Sequence, residues 1–308
     1  MPRIAEFCLT AALVFMVVAL VTNLVVVSAR RKVRSYAPRA KELVGAGVLA
    51  EGDGEPEDGD LVEREHPRGV DGRARVPVGV LGTGFTVVAW LLVTAYLGLR
   101  LAVTGHGPFA NQHEFAVSFV WGILLAYLVA YWWFRVRMLS LVVLPVAACL
   151  TVYAIQIGTG VEPLVPALQN NLLLTLHVGF AILSYGAACV SFGAAVLYLA
   201  YPRLHLKTPR DQLDEIGYKG AVVAFPLMTI MILLGALWAN TAWGSYWSWD
   251  PKETAALVTW LLYGAFLHAR VVRGWRGRKA AWLLVIGFAA VMFAYFGNYF
   301  LGGLHSYV

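Results

Sequence analysis

Eight long stretches of this 308-residue chain contain no aspartate, glutamate, lysine or arginine. They are Phe7–Ala29, Pro77–Leu99, Phe115–Phe134, Met138–Val161, Asn170–Tyr201, Gly220–Trp249, Thr254–Ala269 and Ala280–Val308. A helix of about 20 such residues crosses the hydrocarbon core of a bilayer, and the shorter run from Thr254 gains length because its basic end can snorkel. The sequence therefore predicts an all-α, polytopic integral membrane protein with about eight transmembrane helices.

The basic residues predict how these helices are oriented. All but three of the 24 lysines and arginines fall in the connections after the first, third, fifth and seventh apolar runs. The positive-inside rule places those connections in the cytoplasm and both termini outside. The net charge of +6 is thus an orientation signal. It indicates a lipid bilayer as the partner, and no nucleic acid.

A single membrane domain over residues 1–308 is the simplest partition. The first apolar run is longer than a signal-peptide core, and its basic cluster follows it, so we expect a retained helix. The polar segment 30–76 has an acidic, Gly- and Pro-rich centre, EGDGEPEDGD at 51–60. Such a composition cannot bury enough apolar surface to offset its ordering entropy. We therefore predict a disordered cytoplasmic insertion.

Residues 243–253, WGSYWSWDPKE, concentrate aromatic rings in the outer connection between the sixth and seventh runs. The rings are those of Trp243, Tyr246, Trp247 and Trp249. An aromatic belt at the membrane interface would explain tryptophan here, but a belt is spread over all helix ends. The concentration in one loop favours a platform for a ligand. Asp250, with the proline and glutamate that follow it, also matches a helix N-cap and capping box, so its capping and ligand-directed roles stay equally open.

Three histidines and one acid are candidates for a metal or cofactor site, because ionisable residues are costly inside membranes. His177 and His305 lie near the outer face, where two imidazoles beside flat aromatic rings suit a bis-histidine haem. Zinc is the competing metal but needs further ligands, which are scarce there. His268, near the cytoplasmic end of its run, could form an inner ligand position or simply snorkel. Glu114 stands at the outer mouth of the third run.

Three separated motifs together resemble a known family. They are NLLLTLHVGFAILSYG, then WGSYWSWDPKETAALVTWLLYGAFLHAR, and finally GLHSYV. In order and content they are similar to the CcsA/ResC proteins of System II cytochrome c-type biogenesis, which handle haem through a tryptophan-rich WWD motif. The resemblance assigns residues of about 170–308 to the tryptophan-rich haem-handling region.

The resemblance implies a function and a set of site residues. It implies a cytochrome c biogenesis protein that binds and exports haem b, and presents reduced haem at the outer membrane face for thioether attachment to the CxxCH of apocytochrome c. His177 and His305 would be the external axial ligands of the haem iron, and His268 the ligand of haem in transit. The aromatic loop (residues 243–249), together with Asp250 and Glu114, would bind the cofactor. The chain would then be a subunit of a membrane cytochrome c synthetase (haem lyase) complex.

The same resemblance implies partners and a location. The partners would be a CcsB/ResB-type membrane protein, apocytochrome c and thiol-reducing proteins of the outer face. The location would be the plasma membrane of a bacterium, with the functional site on the extracytoplasmic side. Two other functions remain alternatives. One is an electron-transfer subunit like a membrane cytochrome b, which would pair histidines on facing helices. The other is a solute transporter, which would show broken helices and repeat symmetry.

Overall fold

The computed structural model describes residues 2–48, 78–158, 160, 168, 171–204 and 208–305. Within this part of the chain all regular structure is helical, and a 3₁₀ turn at Arg137–Leu139 precedes α4. The α-helices are α1 (Pro2–Val48), α2 (Val78–Thr104), α3 (Gln112–Phe134), α4 (Ser140–Gln156), α5 (Asn171–Leu204), α6 (Arg210–Trp243), α7 (Pro251–Val272), α8 (Arg278–Phe296) and α9 (Asn298–Leu301). Helices α1 to α8 each contain a span long and apolar enough to cross a membrane. The prediction of a polytopic all-α membrane protein is confirmed.

The structure differs from the predicted disordered insertion over its first part. Helix α1 continues beyond its apolar span, Ile4–Val27, through residues 30–48. This stretch contains four arginines, three alanines and two lysines, all good helix formers. A preceding helix also removes the cost of nucleation. The remainder of the insertion, 49–76, lies outside the described residues, and its disorder stays a prediction.

Helix α5 occupies the centre of the bundle and packs against α3, α4, α6 and α8. It approaches α3 closely where Gly122 faces Gly186. A Cβ atom added to Gly122 would lie 2.6 Å from the carbonyl oxygen of Ile182, and one added to Gly186 would collide with the carbonyl of Gly122. Small residues of this kind let transmembrane helices approach closely enough for backbone packing. The α3–α5 contact thus fixes the framework on which the outer site is built.

A buried ion pair ties the helices together at the end that the charge pattern assigns to the cytoplasm. Arg270 of α7 binds Asp214 of α6, with 2.6 Å between Nη1 and Oδ2, and both side chains are nearly inaccessible. The other oxygen of Asp214 accepts the backbone N–H of Gly277, just before α8. The guanidinium also stacks on the ring of Tyr218 at 5.1 Å. Helices α6, α7 and α8 are therefore held at one point.

Candidate functional site

A cavity of about 330 Å³ opens at the end of the bundle that the charge pattern assigns to the outer face. Its walls come from α3, α5, α6 and the end of α8, from the aromatic loop and the start of α7, and from the segment after α9. Both outer histidines line it, although they are far apart in the sequence. Aromatic and aliphatic side chains form most of the wall, as in small-molecule sites generally. The lining includes Phe115, Phe119, His177, Ile182, Tyr185, Met231, Gly235, Trp238, Tyr246, Trp247, Lys252, Glu253, Tyr295 and His305.

His177 is held by α6 in a defined orientation. Its Nδ1–H donates to the carbonyl oxygen of Met231 across 2.8 Å. Gly235, one turn further along α6, provides the space for the ring, because a Cβ there would lie 2.7 Å from Cε1. Donation from Nδ1 leaves Nε2 as the nitrogen that carries the lone pair, which is the state a metal ligand requires.

His305 is oriented in the same manner by a carboxylate. Its Nδ1 lies 2.8 Å from Oδ2 of Asp250, and the backbone N–H of Leu304 donates to the other oxygen across 2.6 Å. Asp250 itself is the N-cap of α7 and, with Glu253, forms the predicted capping box. The carboxylate of Asp250 therefore fixes the tautomer of the histidine, as carboxylates do beside metal-ligating histidines.

Burial and charge set the protonation states of this pair. Burial lowers the pKa of the His305 imidazole below its ordinary value, and the hydrogen bond to Asp250 offsets this only in part. Burial raises the pKa of Asp250, but the hydrogen bond and charge of His305, with the backbone N–H groups of Lys252 and Leu304, hold it below its ordinary value. At neutral pH the imidazole is uncharged and the carboxylate charged, as a metal ligand and its orienting group must be.

Trp238 lies between the two histidines and is almost fully buried. Its ring stacks parallel to that of His177, with 6.4 Å between centroids and 9° between planes. The same indole lies 5.8 Å from the ring of His305. Trp243 packs edge-on against both Trp238 and His305, with 4.8 Å between centroids in each case. The two imidazoles thus share one aromatic support.

The aromatic loop contributes to the site unevenly. Tyr246 and Trp247 line the cavity, whereas Trp243 supports His305 from outside the lining. Trp249 packs edge-on against Trp247 at 5.7 Å but is 69% exposed. Its backbone is left-handed, with φ 58°, a conformation that bulky residues rarely adopt. This left-handed turn directs the chain from the loop into α7, while the ring of Trp249 stays exposed.

Glu114 lies outside the cavity and is engaged in a buried ion pair. Its Oε1 binds Nε of Arg100 at 2.8 Å, and both side chains are buried. Its Oε2 accepts the backbone N–H of Ala110 across 2.8 Å, while Asn111 caps α3 by accepting the N–H of Glu114. Because Ala110 and Asn111 line the cavity, Glu114 shapes the wall from behind.

His268 lies elsewhere, near the opposite end of α7, with an exposed side chain. Gly264 and Trp260 lie one and two turns before His268 on α7. Gly264 accommodates Phe225, whose ring would lie 3.2 Å from an added Cβ, and Phe225 stacks on Trp260 at 5.1 Å. The glycine therefore makes room for α6 and not for the imidazole.

Sequence reasoning did not assign Trp238, Gly235 or Lys252 to the site. Gly235 and Trp238 are three positions apart on α6, a spacing that places them on one face, but only the position of His177 reveals which face matters. In the described part of the chain no three His, Cys, Asp or Glu side chains cluster as a metal site would require. Two imidazoles with aromatic walls suit the two axial positions of haem better than zinc.

Comparison with known proteins identifies the family of this chain. Residues 110–305 match the family described as cytochrome c assembly protein. The chain is 37% identical to the cytochrome c biogenesis protein CcsA of Microcystis aeruginosa over 286 residues, covering 74% of this chain and 87% of that protein. It is 35% identical to CcsA of Guillardia theta over 257 residues, covering 74% and 85% of the two chains.

A solved structure shares the fold. The structure of cytochrome c haem lyase CcmF matches with a TM-score of 0.62 at 19% identity. The match covers 96% of this chain and 46% of that one, so this chain spans about half the length of CcmF. The fold and the site define a polytopic helical membrane protein with two histidines in an outer aromatic cavity. The chain belongs to the cytochrome c assembly protein family, as a relative of the CcsA proteins.

Proposed function

We propose that this protein acts in cytochrome c maturation by holding haem b, its substrate in transit, between His177 and His305 in the outer cavity. The observation that carries the proposal is the convergence of these two histidines on one aromatic cavity. Each ring donates Nδ1–H to a fixed acceptor, which leaves Nε2 for iron. Trp238 supports both rings, and Tyr246 and Trp247 close the outer side.

The chemistry that follows is an addition of apocytochrome thiols to the bound haem. Each CxxCH thiol adds across one vinyl C=C bond, with sulfur bonding to one carbon and hydrogen to the other. The step consumes no oxidant or reductant, but it needs reduced thiols and is proposed to use ferrous haem. The protein supplies position and exclusion of water, and the haem supplies the reactive group.

The partners and the direction of haem movement belong to the same proposal. Haem enters from the cytoplasmic side by way of His268, whose exposed ring is accessible to a second ligand from a CcsB/ResB-type partner. The assembled complex acts as a cytochrome c synthetase in a bacterial plasma membrane, with the attachment site on the extracytoplasmic side. Thiol-reducing proteins of that side keep the apocytochrome cysteines reduced.

The absorption spectrum of the detergent-purified protein, co-expressed with its partner, tests this function. We expect a low-spin bis-histidine haem spectrum after dithionite reduction, lost in His177→Ala and in His305→Ala and partly restored by added imidazole. His106→Ala is the matched control, because His106 lies in the neighbouring outer loop and does not line the cavity. A folded protein without haem would overturn the proposal and favour a transporter. Rapid quinol-dependent reduction would favour an electron-transfer subunit.

A further inference from the structure

Lys252 is the basic residue that lines the outer cavity. It is the second residue of α7, and its side chain is only partly accessible. Its ammonium group on α7 lies 5.0 Å from the centroid of the Phe115 ring on α3, which also lines the cavity. A cation–π contact of this kind contributes about 0.5–2 kcal/mol, much less than the cost of removing an ammonium group from water.

The neighbouring acids are engaged elsewhere. Asp250 accepts hydrogen bonds from the imidazole of His305 and from the backbone amides of Leu304 and Lys252. Glu253 accepts from the amides of Ser248 and Asp250 and from the Ser248 hydroxyl. In the described part of the chain, no acidic side chain lies within ion-pair distance of the Lys252 ammonium group.

A cation that faces an apolar cavity, with no carboxylate of the described residues in direct contact and only the more distant charge of Asp250 nearby, favours a ligand that carries a carboxylate. The start of α7 adds the partial positive charge of a helix N-terminus on the same side, although Asp250 caps it. The cavity therefore has a defined polarity, with a cation at the α7–α3 edge and aromatic rings beside the two imidazoles. That polarity is what an amphipathic, carboxylate-bearing ring system would require.

The geometry points to Lys252 as the group that binds a carboxylate of the ligand, which for haem is a propionate. This inference rests on the proposed function and deepens it. The propionates and the vinyl groups of haem lie on opposite halves of the macrocycle. Holding a propionate at Lys252 therefore selects one in-plane orientation and turns the vinyl half away from α7. Lys252 is thus a positioning residue, which sets the edge that faces the apocytochrome.

Titration with two porphyrins tests the assignment. The probes are iron protoporphyrin IX and its dimethyl ester, which keeps the iron and the vinyl groups but has no carboxylate. We expect the unmodified protein to bind the diacid about 10- to 100-fold more tightly, as charge-assisted hydrogen bonds generally contribute. In Lys252→Met this preference should fall to near unity while the ester affinity stays unchanged. Lys252→Arg should retain most of the preference.

The controls separate this inference from the proposed function. Lys279→Met, which removes a lysine that stacks on Trp275 near the opposite membrane face, corrects for partition of the two porphyrins into detergent. Unchanged low-spin spectra with the ester would show that the Lys252 variants still fold and ligate iron. A Lys252→Met protein that keeps the full diacid preference would overturn the role of Lys252 alone. Failure of the unmodified protein to bind either porphyrin would overturn both proposals.

Discussion

Replacement of Gly235 by alanine is the sharpest test of how the site is built, because it changes a residue that makes no bond to the ligand. The added Cβ would lie 2.7 Å from Cε1 and 2.8 Å from Nδ1 of His177. Ordinary van der Waals contact begins near 3.4 Å, so the ring must move by about 0.7 Å. Functional side chains must be held within about 0.5 Å of their productive position, and this displacement exceeds that tolerance.

The expected magnitude follows from opposing effects. Overpacking of this kind costs about 1–3 kcal/mol. Alanine is a better helix former than glycine by about 1 kcal/mol, which limits the net loss of fold stability to about 2 kcal/mol. The larger effect falls on the ligand, because the 2.8 Å bond from His177 to Met231 is lengthened or lost. Disturbing such an orienting bond lowers metal affinity by about 10- to 100-fold.

Haem titration of the purified variant measures this effect, with thermal unfolding in detergent as the check on folding. Gly179→Ala is the matched control, since it is also a glycine-to-alanine change in a helix, two residues after His177, with nothing within 4 Å of the added Cβ. The control should bind haem normally. A Gly235→Ala protein that keeps normal affinity and a low-spin spectrum would refute the steric argument.

Further changes probe the outer pair and the inner end. Asp250→Ala should destabilise the fold by about 1 kcal/mol through loss of the α7 cap and weaken haem binding about 10- to 100-fold. Asp250→Asn can still cap α7 and accept a hydrogen bond from His305, so its losses of stability and haem affinity should both be smaller. Burial lowers the pKa of His305, so as the pH falls the unfolded chain takes up the proton before the folded protein does. The free energy of unfolding should therefore decrease as the pH falls through about 6.5, the ordinary pKa of histidine. The folded protein should still retain haem below that pH. Asp250→Asn removes the charge that favours imidazolium and should shift acid release of haem, followed by absorbance, to still lower pH. Arg270→Ala leaves its buried partner unpaired and should cost about 3–5 kcal/mol in unfolding measurements, against near zero for the exposed Lys219→Ala. His268→Ala should leave stability and in vitro haem binding unchanged but reduce the haem content of protein isolated from cells; equal haem content would contradict entry by way of His268.

The sequence was sufficient to predict the membrane fold, because uncharged runs have few structural alternatives in a bilayer. It also predicted the capping box at the start of α7, since that motif depends on local chemistry over four residues. Continuation of α1 through residues 30–48 was not anticipated, because local composition does not show that an existing helix lowers the cost of extending into a polar segment.

The arrangement of the site depends on contacts between distant segments, and sequence could supply only part of it. The convergence of His177 and His305 on one cavity follows from the bundle, and the family resemblance anticipated it where spacing could not. The role of Gly235 is visible only once α5 and α6 are packed, because the residue acts through the side chain that it lacks. Glu114 shows what local sequence leaves out: it was predicted from its position at a helix mouth, and only the packed structure reveals its ion pair with the buried Arg100. Its role towards a ligand stays a prediction.

Asp250 shows why the capping and ligand-directed interpretations of the aromatic loop could not be separated by sequence. One oxygen accepts the Lys252 amide at the start of α7 and also binds His305. The other accepts the Leu304 amide, and Gly303 is in such close contact that a Cβ there would collide with the carboxylate. The segment that carries His305 is therefore docked on the same group that begins α7. Because one carboxylate both caps α7 and binds His305, the position of His305 depends on the correct start of α7.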